Sequence, residues 1–182
     1  AGASRVMSGA DRASELAAEG IAALDAGRYD DAAQAFVAAR RLDPASPALA
    51  FNLGLARLRD GRARDAGAAF EEALALGGEE ADLLCNLGLA LSETGREADA
   101  ERAYLRALEL EPGHPEASND LGVLMFGRGD YDRARGLFAA ATANRRDYYD
   151  AWFNLRDACA ELGLEAERAA AQAELDRLDG RP

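Results

Sequence analysis

Lysine is missing altogether: the 182-residue chain carries twenty-one basic residues, and every one is arginine. That removes any phosphate-binding loop ending in Gly-Lys-Ser/Thr, any Schiff-base lysine and any serine–lysine hydrolase. Histidine occurs once, at His114, and cysteine twice, at Cys85 and Cys159. The usual zinc spacings cannot be built from them, and a histidine-based triad would rest on His114 alone. No catalytic centre, metal or cofactor is expected from so thin a supply. Basic charge is scarce overall, thirty-three acids leaving a net charge of −12, whereas a duplex nucleic-acid binder needs a clustered positive surface. Nucleic acid is therefore not an expected partner. No stretch approaches the roughly 18 to 20 apolar residues that span a bilayer, so no membrane insertion is expected. Asn-x-Ser/Thr sequons are absent too.

Alanine and leucine dominate, prolines number only five, and continuous β-branched runs are lacking. With 49% hydrophobic residues, the chain reads as an all-helical domain large enough to bury a core. Glycine stands at 27, 61, 95, 129 and 163, a spacing of 34 residues held without slippage. Counted from Ala13, Pro47, Ala81, Pro115 and Tyr149, other columns fall into line. The seventh reads Glu19, Leu53, Leu87, Leu121, Leu155; the eighth reads Gly20, Gly54, Gly88, Gly122, Arg156. The twentieth is Ala32, Ala66, Ala100, Ala134, Arg168, the twenty-fourth Phe36, Phe70, Tyr104, Phe138, Gln172, and the twenty-seventh Ala39, Ala73, Ala107, Ala141, Leu175.

These columns resemble the tetratricopeptide repeat, a 34-residue helix-turn-helix unit with the pattern W-x₂-L-G-x₂-Y, then A-x₃-F, then P. The likeness covers residues 13 to about 178. Tryptophan occurs only as Trp152, the eleventh column carries Arg57 and Met125 in place of tyrosine, and the closing proline survives as Pro44 and Pro112. The resemblance implies an all-α, right-handed superhelical solenoid of antiparallel helix pairs. Its repeats would span 13–46, 47–80, 81–114, 115–148 and 149–178, the last with a C-terminal capping helix. Residues 1–12 read as an N-terminal tail or tag remnant, without the apolar run of an intact signal peptide, and 179–182 as a short tail.

The spacing predicts helices such as 47–60 and 63–76, with the column-15 glycine just past the first helix, where a left-handed residue satisfies the last carbonyls. Glycine inside a helix costs about 1 kcal/mol, so the eighth column calls for close packing by the partner helix. One helix pair cannot bury its apolar face alone; stacked pairs share a continuous core. Arg156, Arg168 and Gln172 break the pattern as a terminal cap facing water would.

Isolated chemistry-bearing residues have bland readings. His114, in Glu-Pro-Gly-His-Pro-Glu, is expected to be a solvated turn residue. Cys85 and Cys159 lie two units apart, so no disulfide is expected. Arg128-Gly129-Asp130 spells an adhesion tripeptide, but the same columns read Ala26-Gly27-Arg28 and Asp60-Gly61-Arg62, which makes the glycine a turn requirement. The paired acids Asp30-Asp31, Glu71-Glu72 and Glu79-Glu80 read as solvated charge near helix ends.

In the family the first helices line a concave groove, and the resemblance implies ligand contacts from columns 2, 5, 6, 9, 12 and 13. The first unit would offer Ala17, Ile21 and Leu24. Those taken as the peptide-binding set are Phe51, Asn52, Leu55 and Arg59, then Asp82, Asn86, Leu89 and Glu93, then Asn119, Asp120, Val123 and Phe126, then Phe153, Asn154 and Asp157. The sixth column holds Asn52, Asn86, Asp120 and Asn154, similar to the asparagine ladder of peptide-binding members, whose amides pair with an extended backbone. The same column is also family consensus. Apolar groups dominate the first two units, whereas Asp82, Glu93, Glu116, Asp120, Asp150, Asp157 and Glu161 gather in the last three. Carboxylate-clamp members read chaperone tails through inner lysines and arginines. Here Ala17, Ile21, Asp82 and Asn86 stand in their place and only Asn52 fits.

The expected function is a non-catalytic protein-interaction module that binds an extended basic and apolar peptide segment. A self-assembling scaffold, or the targeting portion of a larger enzyme or secretion or assembly complex, is the alternative, the former requiring homo-oligomers. The composition resembles that of GC-rich bacterial genomes. A cytoplasmic location is expected, with the periplasm as the alternative if a leader has been removed.

Overall fold

The computed structural model describes residues 8–180. Ten α-helices run through them: α1 (Gly9–Asp25), α2 (Tyr29–Leu42), α3 (Pro47–Arg59), α4 (Ala63–Gly77), α5 (Ala81–Glu93), α6 (Glu97–Leu110), α7 (Pro115–Gly127), α8 (Tyr131–Asn144), α9 (Tyr149–Glu161) and α10 (Glu165–Leu178). No strand occurs among the described residues. Every repeat frame thus holds one helix pair. Packing groups the chain into two compact units, one up to Arg96 and one from Glu97 on. The division falls inside the third repeat.

The turns inside the pairs follow one rule. In the second pair Gly61 adopts φ +75°, its N–H donates to Leu58 O, and the next N–H, of Arg62, reaches Arg57 O at 2.8 Å. The last carbonyls of α3 are thereby satisfied in a Schellman-type end that an L side chain at Gly61 would strain. Gly27, Gly95, Gly129 and Gly163 share the positive φ. Starts of first helices are capped by different chemistry at one column. Ser46 accepts from Leu49 N ahead of Pro47 at the first helical position, and His114 Nδ1 accepts from Ala117 N at 3.2 Å ahead of Pro115.

Two sequence expectations change here. His114 is 4% exposed, a buried helix cap and no solvated turn residue, because its ring nitrogen takes the acceptor role that Ser46 fills one pair earlier. Helix α1 begins four residues ahead of the repeat frame. Ser8 accepts from Asp11 N while Asp11 accepts from Ser8 N, a reciprocal cap that places part of the expected tail in the helix. The rest of that tail, residues 1–7, and residues 181–182 lie outside the described residues.

Within the N-terminal unit α1 packs on α2, α2 on α3, α3 on α4 and α4 on α5, and α1, α3 and α5 also touch in series. The second helices α2 and α4 are bridged by an Arg40–Glu72 ion pair. In the C-terminal unit α6 to α10 pack in the same consecutive order, with α7 against α9. The close approach in the first, second and fourth pairs has one cause. A Cβ placed on Gly54 would lie 2.4 Å from the Phe70 ring, on Gly20 2.7 Å from Phe36, and on Gly122 2.6 Å from Phe138. Phe36, Phe70 and Phe138 are fully buried beside the alanines of columns 20 and 27. The last pair replaces both partners: Arg156 donates to Gln172 Oε1 at 3.3 Å, a polar contact where those three have glycine under an aromatic ring.

Candidate functional site

In the N-terminal unit the expected inner residues sit on α1, α3 and α5. Ile21 is 47% exposed; Leu55 and Leu89, at the same column, are half-buried, as are Phe51, Asn52 and Asn86, and Arg59, Asp82 and Glu93 are exposed. The Phe51 ring stands 5.8 Å from that of Phe70, so one face belongs to the core. Its other neighbours form a cavity of about 190 Å³ with Pro47, Ala48, Gly77, Glu80 and Leu83. This notch was not anticipated, although a signal existed. Gly77-Gly78 occupies the columns that hold Asp43-Pro44 and Glu111-Pro112 elsewhere. A Cβ on Gly77 would come within 2.6 Å of Pro47, and Gly78, at φ +87° and ψ −172°, takes a backbone conformation open to glycine. The Asn86 amide donates to Asp82 O at 2.8 Å, four residues back in its own helix.

In the C-terminal unit α7 and α9 bring Asn119, Asp120, Val123, Phe126, Phe153, Asn154 and Asp157 together. Asn154 Nδ2 donates to Asn119 Oδ1 at 2.9 Å, and Asn119 Nδ2 donates to Asp120 Oδ1 at 3.1 Å. Two of the expected residues therefore orient a third. Burial pushes the Asp120 carboxyl up to about 6, reinforced by the negative Glu116, while the Asn119 hydrogen bond opposes the rise. Burial likewise raises Tyr148 to about 12, with Asp120 adding to it. Val123, Phe126, Phe138, Asn154 and Asp157 enclose a cavity of about 80 Å³, and Val123 at 49% and Phe153 at 41% exposure stand open to solvent.

Charge at this face is less one-sided than the acids alone imply. Arg156 binds Asp157 through Nη2 at 2.7 Å and lies over the Phe153 ring, 4.0 Å from its centroid. Arg145 pairs with Glu116 and stacks on Tyr148 at 3.8 Å. Neither arginine is at an inner column, so their neutralising role was invisible in the inner-face pattern. Among the described residues, Asp120, Asp150 and Glu161 have no basic partner within hydrogen-bonding distance.

Other sequence features take structural roles. Arg128 is held by Glu97 and Glu101 and Asp130 caps α8 through Arg133 N, so both charged ends of Arg-Gly-Asp are engaged. Cys85 and Cys159 are buried and neither forms a disulfide; burial raises the Cys159 thiol. Among the described residues no group of three or more His, Cys, Asp or Glu is placed to hold a metal ion, and no helix is long and apolar enough to cross a membrane.

A family profile described as tetratricopeptide repeat matches residues 17–82 and 85–141. No curated protein sequence matches the chain. Solved structures share the fold at low identity. The pilF protein of Pseudomonas aeruginosa is similar with a TM-score of 0.82 at 20% identity, over 93% of this chain and 78% of that one. MamA is similar at 0.77 and 19%, over 93% of each chain. YrrB, described as a TPR protein with an unusual peptide-binding site, is similar at 0.67 and 22%, over 90% of this chain and 84% of its own.

Proposed function

Because the chain belongs to the tetratricopeptide repeat family, we propose that it is a non-catalytic interaction module that holds an extended basic and apolar segment of a partner protein against its first helices. The observation that carries this reading is the α7–α9 face, where a partly buried carboxylate, aimed by an amide relay, adjoins an apolar cavity and two exposed apolar side chains. An arginine or lysine of the segment would meet Asp120, with Asp150 and Glu161 adding attraction. A neighbouring aliphatic side chain would enter the cavity between Val123 and Phe126. In the N-terminal unit the notch beside Phe51 suits a second apolar side chain, and the Asn52 amide, which makes no side-chain hydrogen bond among the described residues, can pair with peptide backbone. YrrB supplies a precedent for peptide binding on this fold. A cytoplasmic location belongs to this reading, with the periplasm as the alternative.

Titration of the full chain with a basic and an acidic peptide pool at two salt concentrations tests the reading. Basic peptides should bind more tightly, the preference shrinking at high salt, and Asp120→Asn should weaken them about tenfold, the loss of one charge-assisted contact. A preference for acidic peptides at this face would sink the proposal. Static light scattering across a concentration series separates the rival scaffold reading, since a groove binder stays monomeric without ligand.

A further inference from the structure

We propose that a second, oppositely charged site lies in the N-terminal unit: the groove between α2 and the α3–α4 turn binds an acidic, partly aliphatic segment of a partner protein, with Arg57 and Arg41 as its carboxylate contacts. The groove encloses about 320 Å³, with Arg41, Arg57 and Arg62 around the apolar Ala33, Val37 and Ala38. Arg62 is tied to Asp65 at 2.6 Å. Among the described residues, Arg57 has only a backbone contact, its Nη1 donating to Asp65 O at 3.3 Å, and Arg41 has no carboxylate within ion-pair distance. Both guanidinium groups keep unused donors in a chain that has more acids than bases.

Arg57 is out of place for its column. The eleventh position elsewhere holds Ala23, Leu91, Met125 and Cys159, each at most 5% exposed. A long apolar stem can fill such a slot while its charged head emerges into the groove, so the packing alone would be served by methionine. The equivalent groove one repeat later shows the contrast. It is lined by Arg64, Glu71, Leu91 and Arg96 among others, and there Arg96 meets Glu71 at 3.6 Å, at the column where Val37 stands in the first groove. Asp30 on the rim of the first groove opposes an incoming anion, but its Oδ2 is already occupied by Gln34 Nε2 at 2.7 Å. The occupant fixed by this lining is a segment whose carboxylates reach Arg57 and Arg41 and whose aliphatic groups rest on Val37 and the two alanines.

The test uses the full chain, a fluorescein-labelled Glu/Leu peptide and fluorescence anisotropy at low salt. Arg57→Met should weaken binding about tenfold and Arg41→Gln about threefold. Arg64→Gln, which removes an arginine outside the groove, should change it less than about twofold. Basic-peptide binding should be unchanged in Arg57→Met, so failure here leaves the α7–α9 reading standing. Absence of peptide binding, an Arg57→Met affinity within about twofold of the parent, or an equal loss in Arg64→Gln overturns the proposal. So does displacement of the probe by inorganic phosphate as readily as by unlabelled peptide. Should Arg57→Met not fold, Arg57→Lys decides: a weaker affinity supports the forked contact, an unchanged one overturns it.

Discussion

The two units use one helix-pair frame and place charge on it in opposite ways. In the C-terminal unit nearly every described arginine meets a carboxylate, from Arg102 with Asp99 and Arg128 with Glu101 to Arg145 with Glu116 and Arg177 with Glu174; Arg146 is the exception. In the N-terminal unit Arg41, Arg57, Arg59 and Arg64 have no such partner among the described residues. Excess acid sits where arginines are already engaged, and unengaged arginine sits where the inner face is apolar. A 34-residue period determines which positions can meet, while the residues chosen at those positions decide whether a unit displays charge or neutralises it. Exposed pairs contribute little to stability individually, so the contrast concerns partners more than folding.

The sharpest way to break the comparison is through the cores. Phe70→Ala and Phe138→Ala remove equivalent fully buried rings and should each cost about 3 to 5 kcal/mol in chemical denaturation. Gln172→Ala, at the same column of the last pair, should cost less than about 1 kcal/mol, since it forfeits two partly exposed hydrogen bonds, with Arg156 and Asp176, and no buried ring. A comparable loss at Gln172 would show that the last pair is as tightly built as the others.

The electrostatic side of the contrast is tested by pH. Asp120 has a carboxyl raised to about 6 in the fold, so the folded protein binds this proton more readily than the unfolded chain does. Its contribution to stability is therefore present at low pH and lost as pH rises from about 4 through 6. Melting curves should show the parent gaining on Asp120→Asn as pH is lowered from 7 to 5. Over the same interval the parent should lose affinity for basic peptides, and Asp120→Asn should show little pH dependence. Parallel curves would remove Asp120 from the account.

A smaller effect belongs to the helix starts. His114→Ala should cost about 1 kcal/mol of helix capping, and His114→Ser should recover part of it by offering the acceptor that Ser46 offers at the same column. The least costly change is Asn86→Ala, under about 0.5 kcal/mol, because that amide bonds only its own helix. Asn154→Ala should reduce basic-peptide affinity more than Asn86→Ala does, since Asn154 helps to aim Asp120.

The helix pairs, their turns and their buried faces were legible because each depends on short-range geometry. A left-handed turn needs Gly61, an aromatic ring at Phe70 needs the missing side chain of Gly54, and both recur at fixed offsets. The candidate site was legible only as a set of columns. Arg145 and Arg156 neutralise inner acids from columns outside the inner face, and His114 was misjudged because its partner is a backbone N–H three residues away. The Gly77 notch and the Arg57 groove were visible as departures from pattern, but their consequence depended on what stood opposite them.

The sequence alone was enough for the repeat, the all-helical class, the lack of lysine and the scarcity of histidine and cysteine. These follow from composition and period, which are properties of one chain position relative to the next. Tertiary structure alone decided which carboxylates stay unpaired, which amides aim a neighbour and which arginines face an open groove. Those outcomes depend on distances of a few ångströms between residues some thirty positions apart, and electrostatic and hydrogen-bond energies change steeply over that range.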